Sequence, residues 1–264
     1  MNNKFEALKA IISSSSAVAV AFSGGVDSSL VVKAAMDALG PGRVLALTAS
    51  SRLQIRKEKE HAISMAEEIG CRLITIDVDL LSWRRFTDNP HDRCYHCKNR
   101  IYSLFLKTIA DQDIPVLMDG TNTDDLNNDD RPGLRAIREL GVKTPLAQAG
   151  FAKKDVRYVS RQLGLSNWNH LSSSCLATRI PTGSIISESK IETIARCENF
   201  LNSLGFFGCR VRLYKDHAGL ELISGDIERF SEPNVRTNVI NYFSGQEINK
   251  IFLDLSERQD IIFF

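Results

Sequence analysis

Two stretches of this chain carry residue types whose spacing could do chemistry. The first is Ser23-Gly24-Gly25-Val26-Asp27-Ser28. Paired glycines let a backbone come close to a ligand and take positive φ. Their N–H groups, at the start of a helix, make a site for phosphate oxygens. Ser23 and Ser28 add hydroxyl donors. Asp27 is out of place in a pure anion nest, because its carboxylate repels phosphate. A Mg²⁺ ion bridging Asp27 and phosphate removes that conflict. The second is a set of cysteines. Cys94-Tyr95-His96-Cys97 is a C-x-x-C, which alone fits redox, zinc or iron–sulfur chemistry. Structural zinc asks for four ligands, and the nearby His91 and His96 crowd the same turn. Cys175 lies in the polar run Ser174-Cys175-Leu176-Ala177-Thr178-Arg179, where a cation can stabilise a thiolate. Cys94, Cys97 and Cys175 could hold a [4Fe–4S] cluster with one iron left open. Equally, Cys175 could be a lone nucleophile, with Cys94 and Cys97 resolving it by disulfide exchange. Cys71, Cys197 and Cys209 sit beside apolar or helical positions and read as small buried hydrophobes.

The elements that must position these residues are visible in the periodicity. Residues 17–22 are an unbroken apolar run, the signature of a buried parallel strand. From Val26 the apolar residues recur on one helical face towards Leu39, so the Gly-rich turn links strand to helix. Apolar runs at 43–49, 73–78 and 116–118 predict three more strands, and helical spacing at 3–14 and 55–69 separates or precedes them. Such alternation argues for a parallel sheet with helices on both faces, whose ligands bind beyond the carboxyl ends of the strands. Past residue 170 the pattern changes. A helix capped at Ser187 precedes two alternating strands, Arg210–Tyr214 and Leu220–Ile223, with a turn expected near Gly219; a polar helix and a strand at 251–255 follow. The expected organisation is therefore an α/β domain over 1–170 and a smaller α+β domain over 171–264. Asp119 to Gly133 is too polar for a packed element and lies after a buried strand. Its carboxylates, Asp124 among them, could hold Mg²⁺ or contact ribose, and Arg131 could contact an anion. Arg210 and Arg212, two apart on a strand, share a face and suit a phosphate.

Composition narrows the class. The chain has 264 residues, 43% hydrophobic and 25% charged, with a net charge of +1. That balance gives no electrostatic case for nucleic-acid binding. No apolar run approaches the ~20 residues of a membrane span, and the first residues lack the apolar core of a signal peptide. The expectation is a cytoplasmic enzyme with a small-molecule substrate, its six cysteines reduced or metal-bound.

The turn at Ser23–Ser28 lacks the spacing of a Walker loop. It resembles the PP-loop of the ATP pyrophosphatases, a superfamily of GMP synthetases, NAD synthetases and tRNA-thiolating enzymes. That resemblance implies ATP as cofactor, cleaved between its α- and β-phosphates. It makes Ser23, Gly24, Gly25, Asp27 and Ser28 the ATP site, with Asp27 and Ser28 acting in adenylation. Over nearly its full length the chain is similar to the LarE sulfur transferases of nickel-pincer nucleotide biosynthesis. The similarity runs through Asp119-Gly120-Thr121-Asn122, Asp124-Asp125, Arg131-Pro132-Gly133, Asn167-Trp168, Ser174–Gly183 and Arg210-Val211-Arg212. It implies adenylation of a carboxylate on a pyridinium biscarboxylate mononucleotide, then replacement of AMP by sulfur. One branch of that family gives up the sulfur of a single Cys, at the position of Cys175. The other holds a sulfur-carrying [4Fe–4S] cluster on three Cys, matched here by Cys94, Cys97 and Cys175. The resemblance also implies a substrate phosphate on Glu198, Arg210 and Arg212, and a homo-oligomer, often a hexamer. Competing readings are an ammonia-using ligase, which needs no cysteine set; a tRNA-thiolating enzyme, which asks for a basic face; and a nucleotide sensor, which needs no reactive Cys175.

Overall fold

The computed structural model describes residues 3–53, 56–127, 132–171, 174–223 and 225–258. They form two compact units. One comprises Met1–Leu80 with Asp92–His170, the other Leu81–His91 with Leu171–Phe264.

The first unit holds a four-stranded sheet, β1 (Val18–Ala21), β2 (Val44–Ser50), β3 (Arg72–Asp77) and β4 (Leu117–Met118). Its order is β3-β2-β1-β4, with all pairings parallel. Every residue of β1 is buried, as a strand covered on both faces requires. Alternation sends Val18 and Val20 into one core with Phe5, Leu30, Val31 and Val156, and Ala19 and Ala21 into another with Phe105, Ile109 and Leu134. The helices Asn3–Ser13, Val26–Leu39 and Lys153–Gln162 serve the first core; Arg93–Ala110 and Pro132–Glu139 serve the second. Because all four strands run the same way, Ser23, Ser50, Asp77 and Asp119 gather at one edge.

The second unit is built on β5 (Arg210–Leu213), β6 (Ala218–Ile223) and β7 (Ile251–Arg258). β5 and β6 are antiparallel, while β6 and β7 are parallel. The helices Glu188–Ser203 and Pro233–Ser244 pack Cys197, Leu201, Val239 and Phe243 against Val211, Leu220 and Leu222. The Ser187 hydroxyl caps the first of these by accepting from the Lys190 N–H.

Three local expectations need correction. Residues 81–91, expected in the N-terminal domain, belong to the second unit. The buried Asn89 amide donates to the carbonyls of Ile180 (3.3 Å), Pro181 (2.7 Å) and Ser184 (3.1 Å), bonds that no local pattern announces. The turn expected at Gly219 lies earlier, closed by Tyr214 N–H to His217 O at 2.9 Å, and Gly219 sits inside β6. The polar stretch 119–133 is not wholly loop. Thr123–Leu126 is a helical turn, with an Asn122 capping box completed by Asp125, and Pro132 opens the helix to Glu139. Asp and Asn act there as caps.

Candidate active site

The Gly-rich turn is held from behind by backbone contacts. The helix Val26–Leu39 begins inside the motif, with Gly25 as its N-cap, so Asp27 and Ser28 lie in its first turn. Gly24 takes φ +75°, and a Cβ there would stand 2.7 Å from the Ala62 Cα. Gly120, after β4, brings its backbone equally close: a Cβ there would meet the Ser28 nitrogen at 2.8 Å. Ser23 Oγ and Ser28 Oγ are 3.3 Å apart, and Ser28 donates to the Gly25 carbonyl at 3.1 Å. Asn167, buried, donates to the Gly24 carbonyl at 2.7 Å and to Ser29 Oγ at 2.9 Å, and its own Oδ1 has no protein partner. The turn's carbonyls are thus occupied on the protein side, which leaves phosphate-binding work to its N–H groups and hydroxyls.

Asp27 is the one carboxylate of the motif, and residues distant in sequence surround it. Asn122 Nδ2 donates to its Oδ1 at 3.2 Å, and the Lys153 ammonium pairs with Oδ2. Asp124 accepts from the Lys153 backbone N–H at 2.8 Å, so it fixes the start of the helix Lys153–Gln162. Asn122 falls in the stretch of family similarity but was given no role from sequence, although it carries a signal as a cap residue; Lys153 was not singled out and carries none. Arg131, expected at an anion, lies outside the described residues.

Cys94 and Cys97 stand on the first turn of the helix Arg93–Ala110, Cys94 exposed and Cys97 half-buried. Three residues apart, they share a face. The same helix sends Lys98 to the buried Asp119 carboxylate at 3.5 Å, and Tyr102 donates to it at 3.2 Å. Burial, with Asp119 alongside, pushes the Tyr102 hydroxyl well above its ordinary range. Gly133 packs against the Cys94 backbone and the Lys98 stem. The cysteine helix is therefore tied to the residue that follows β4, within the same unit as the Gly-rich turn.

In the second unit Cys175 is exposed and precedes the short turn Leu176–Arg179. Behind it Arg179 is buried and pairs with the buried Glu198 at 2.8 Å. Arg179 also donates to the Ser174 carbonyl at 3.0 Å and to Thr178 Oγ1 at 2.9 Å. Glu198 further accepts the Val211 N–H at 3.0 Å. Its carboxylate thus has protein partners on both sides. Arg210 and Arg212 meet at Glu221, Arg210 at 3.9 Å and Arg212 by a direct hydrogen bond. Arg212 also donates to the Thr178 carbonyl at 3.0 Å, and Thr178 donates to the Cys175 carbonyl at 2.8 Å. The structure brings Arg210, Arg212 and the Cys175 turn together, and places Glu198 one layer behind them with Arg179. Glu221 was not singled out from sequence, although its alternation on β6 puts it opposite Arg210.

A family model described as NAD synthase matches residues 2–119, from the first helix through β4. A pyridinium-3,5-bisthiocarboxylic acid mononucleotide synthase of Lactiplantibacillus plantarum is 39% identical over 221 residues, 84% of this chain and 80% of that protein. The chain belongs to the LarE family. An uncharacterized protein of Synechocystis sp. is 33% identical over 98% of this chain and 96% of its own length, and one of Methanocaldococcus jannaschii is 28% identical over 90% and 89%. The LarE-family chain has an α/β PP-loop unit and is an ATP-using enzyme. No helix among the described residues is long and apolar enough to cross a membrane.

The groups this family implies can be set against the side chains. ATP fits a glycine turn at a helix N-terminus whose N–H groups now donate to the Ser23 and Ser28 hydroxyls at 3.3 Å, bonds that phosphate oxygens can replace. Mg²⁺ commonly takes one or two protein carboxylates plus substrate phosphates, and Asp27 supplies one. For a [4Fe–4S] cluster the donor type fits, since Cys94 and Cys97 present two thiols on one helix face. Among the described residues, however, no group of three or more His, Cys, Asp or Glu side chains is placed to hold a metal ion.

Proposed function

We propose that this chain, an ATP-dependent sulfur transferase by family, converts a carboxylate of a pyridinium biscarboxylate mononucleotide into a thiocarboxylate. The observation that carries this is the occurrence in one chain of a PP-loop turn at a parallel sheet edge and an exposed Cys175 tied through Thr178 to Arg212. A carboxylate is a poor electrophile. Its oxygen attacks the α-phosphorus of ATP, the bond to the bridging oxygen of the β-phosphate breaks, and pyrophosphate leaves with the electron pair. The N–H groups of the Gly-rich turn and the Ser23 and Ser28 hydroxyls meet the charge that develops there. Asp27 would hold Mg²⁺, which would neutralise phosphate charge. Sulfur then attacks the acyl carbon and AMP departs. Arg210 and Arg212 hold the acceptor's phosphate as planar forks, and Glu198 acts through Arg179 and the Val211 N–H.

Cys94, Cys97 and Cys175 would hold a [4Fe–4S] cluster, which would supply a transferable sulfide. A second reading, sacrificial loss of the Cys175 sulfur, is favoured by one observation: Cys175 is an exposed thiol. The setting is cytoplasmic, the assembly a homo-oligomer, and the partner a small nucleotide with no role for nucleic acid. The test is product analysis with the nucleotide acceptor, ATP, Mg²⁺ and sulfide. AMP, pyrophosphate and an acceptor with one oxygen replaced by sulfur are expected. ADP and phosphate as main products overturn the proposal.

A further inference from the structure

The Asp27 carboxylate is already engaged: Lys153 pairs with one oxygen and Asn122 donates to the other at 3.2 Å. A carboxylate so engaged is a poor ligand for a cation, because the ammonium repels it and occupies the lone pairs. A carboxylate without a counter-ion, however, would repel an incoming triphosphate. Lys153 answers both needs. Its backbone is pinned by Asp124 at 2.8 Å, so the start of the side chain is fixed. Its four-carbon stem is flexible and its charge is compact, so the ammonium can exchange one anion for another within reach. Its side chain is 27% exposed, so it opens towards solvent.

We propose that Lys153 is an exchanging counter-ion of the ATP site. It neutralises Asp27 while the site is empty. With MgATP bound, Asp27 would hold the metal and the Lys153 ammonium would pass to the β- and γ-phosphates, the group that leaves as pyrophosphate. Lys153 thereby keeps free metal from settling on Asp27 without nucleotide, and couples metal binding to nucleotide binding. In this role it is a positive partner for the departing pyrophosphate, supplied by a helix outside the motif. The inference rests on the ATP site proposed above, but on neither the acceptor nor the sulfur source.

The test compares wild type with Lys153→Met and Lys153→Arg by two binding measurements made without acceptor. Mn²⁺ binding in the absence of nucleotide is read by electron paramagnetic resonance, and MgATP binding by calorimetry. Lys153→Met should bind Mn²⁺ at least about fivefold more tightly, since Asp27 is released, and MgATP about tenfold more weakly, the size of one lost charge-assisted contact. Lys153→Arg keeps the charge and should hold MgATP within about threefold of wild type, with no gain in Mn²⁺ affinity. Wild-type MgATP affinity in Lys153→Met, or unchanged Mn²⁺ affinity there, overturns the proposal. Loss of MgATP binding in Lys153→Arg also overturns it, and decides the matter should the Met variant fail to fold. Normal MgATP and Mn²⁺ behaviour in a protein that never adenylates the acceptor would defeat the functional proposal and leave this one standing.

Discussion

The two units build their reactive edges in opposite ways. In the first, the site is backbone: a contiguous Gly-rich turn, pressed from behind by Ala62 and by Gly120 against Ser28, with one carboxylate at its mouth. In the second it is side chain: an exposed thiol in front of a buried Arg179–Glu198 pair, with Arg210, Arg212 and Glu221 on the outer face of β5 and β6. Backbone sites tolerate few changes of shape, and side-chain sites few changes of charge. Substitutions should separate the two accordingly.

The largest expected effect is at the mouth of the first site. Asp27→Asn should slow acceptor-dependent pyrophosphate release on the order of 100-fold, the scale on which losing a group that meets developing charge acts. Chemical denaturation should show the fold intact, and a rate within threefold of wild type would remove Asp27 from the site. Next comes the buried pair of the second unit. Glu198→Ala leaves the Arg179 guanidinium buried and uncompensated, at a cost of about 3–5 kcal/mol in denaturant melts. A loss below about 1 kcal/mol would mean that the pair is solvated in practice. Gly24→Ala, a change of shape without charge, puts a Cβ against Ala62 at a positive φ. The strain should cost about 1–3 kcal/mol and lower ATP affinity; a neutral result would break the backbone half of the comparison.

The smallest effect concerns the thiols. Burial pushes Cys71 up to about 11 and Cys197 up to about 12 from an ordinary 9.0. A thiol whose folded pKa is raised stabilises the fold fully below 9.0. That contribution fades as the pH rises through about 11 for Cys71 and about 12 for Cys197. Stability should therefore fall in alkali, and less so in the Cys71→Ala, Cys197→Ala double variant. Native-state alkylation should mark Cys94 and Cys175 first and spare Cys71, Cys197 and Cys209, which are buried.

What could be read from the sequence follows the same division. β1, the Gly-rich turn and the helix to Leu39 form one contiguous pattern, so apolar run, glycines and helical period all spoke together. The partners of that turn did not. Lys153 meets Asp27 across 126 positions and Asn167 meets Gly24 across 143, and no local periodicity encodes such pairs. Residues 81–91 escaped for the same reason, since Asn89 joins its unit through side-chain bonds to carbonyls more than 90 positions away. The helix carrying Cys94 and Cys97 was hidden by its polar first turn, Arg93 to Lys98. In the second unit alternation on β5 put Arg210 and Arg212 on one face, and both meet Glu221, while Glu198, known from the resemblance alone, gave no sign in its helical context of the Arg179 and Val211 N–H bonds that engage its carboxylate.

If the Gly-rich turn activates the carboxylate and Cys175 takes part in delivering sulfur, the two half-reactions must come apart at Cys175. The direct measurement follows pyrophosphate and thiocarboxylate together, anaerobically, in wild type and Cys175→Ala with acceptor, MgATP and sulfide. The variant should still release pyrophosphate while forming no thiocarboxylate. Equal loss of both products, or thiocarboxylate at the wild-type level, would contradict the division of labour.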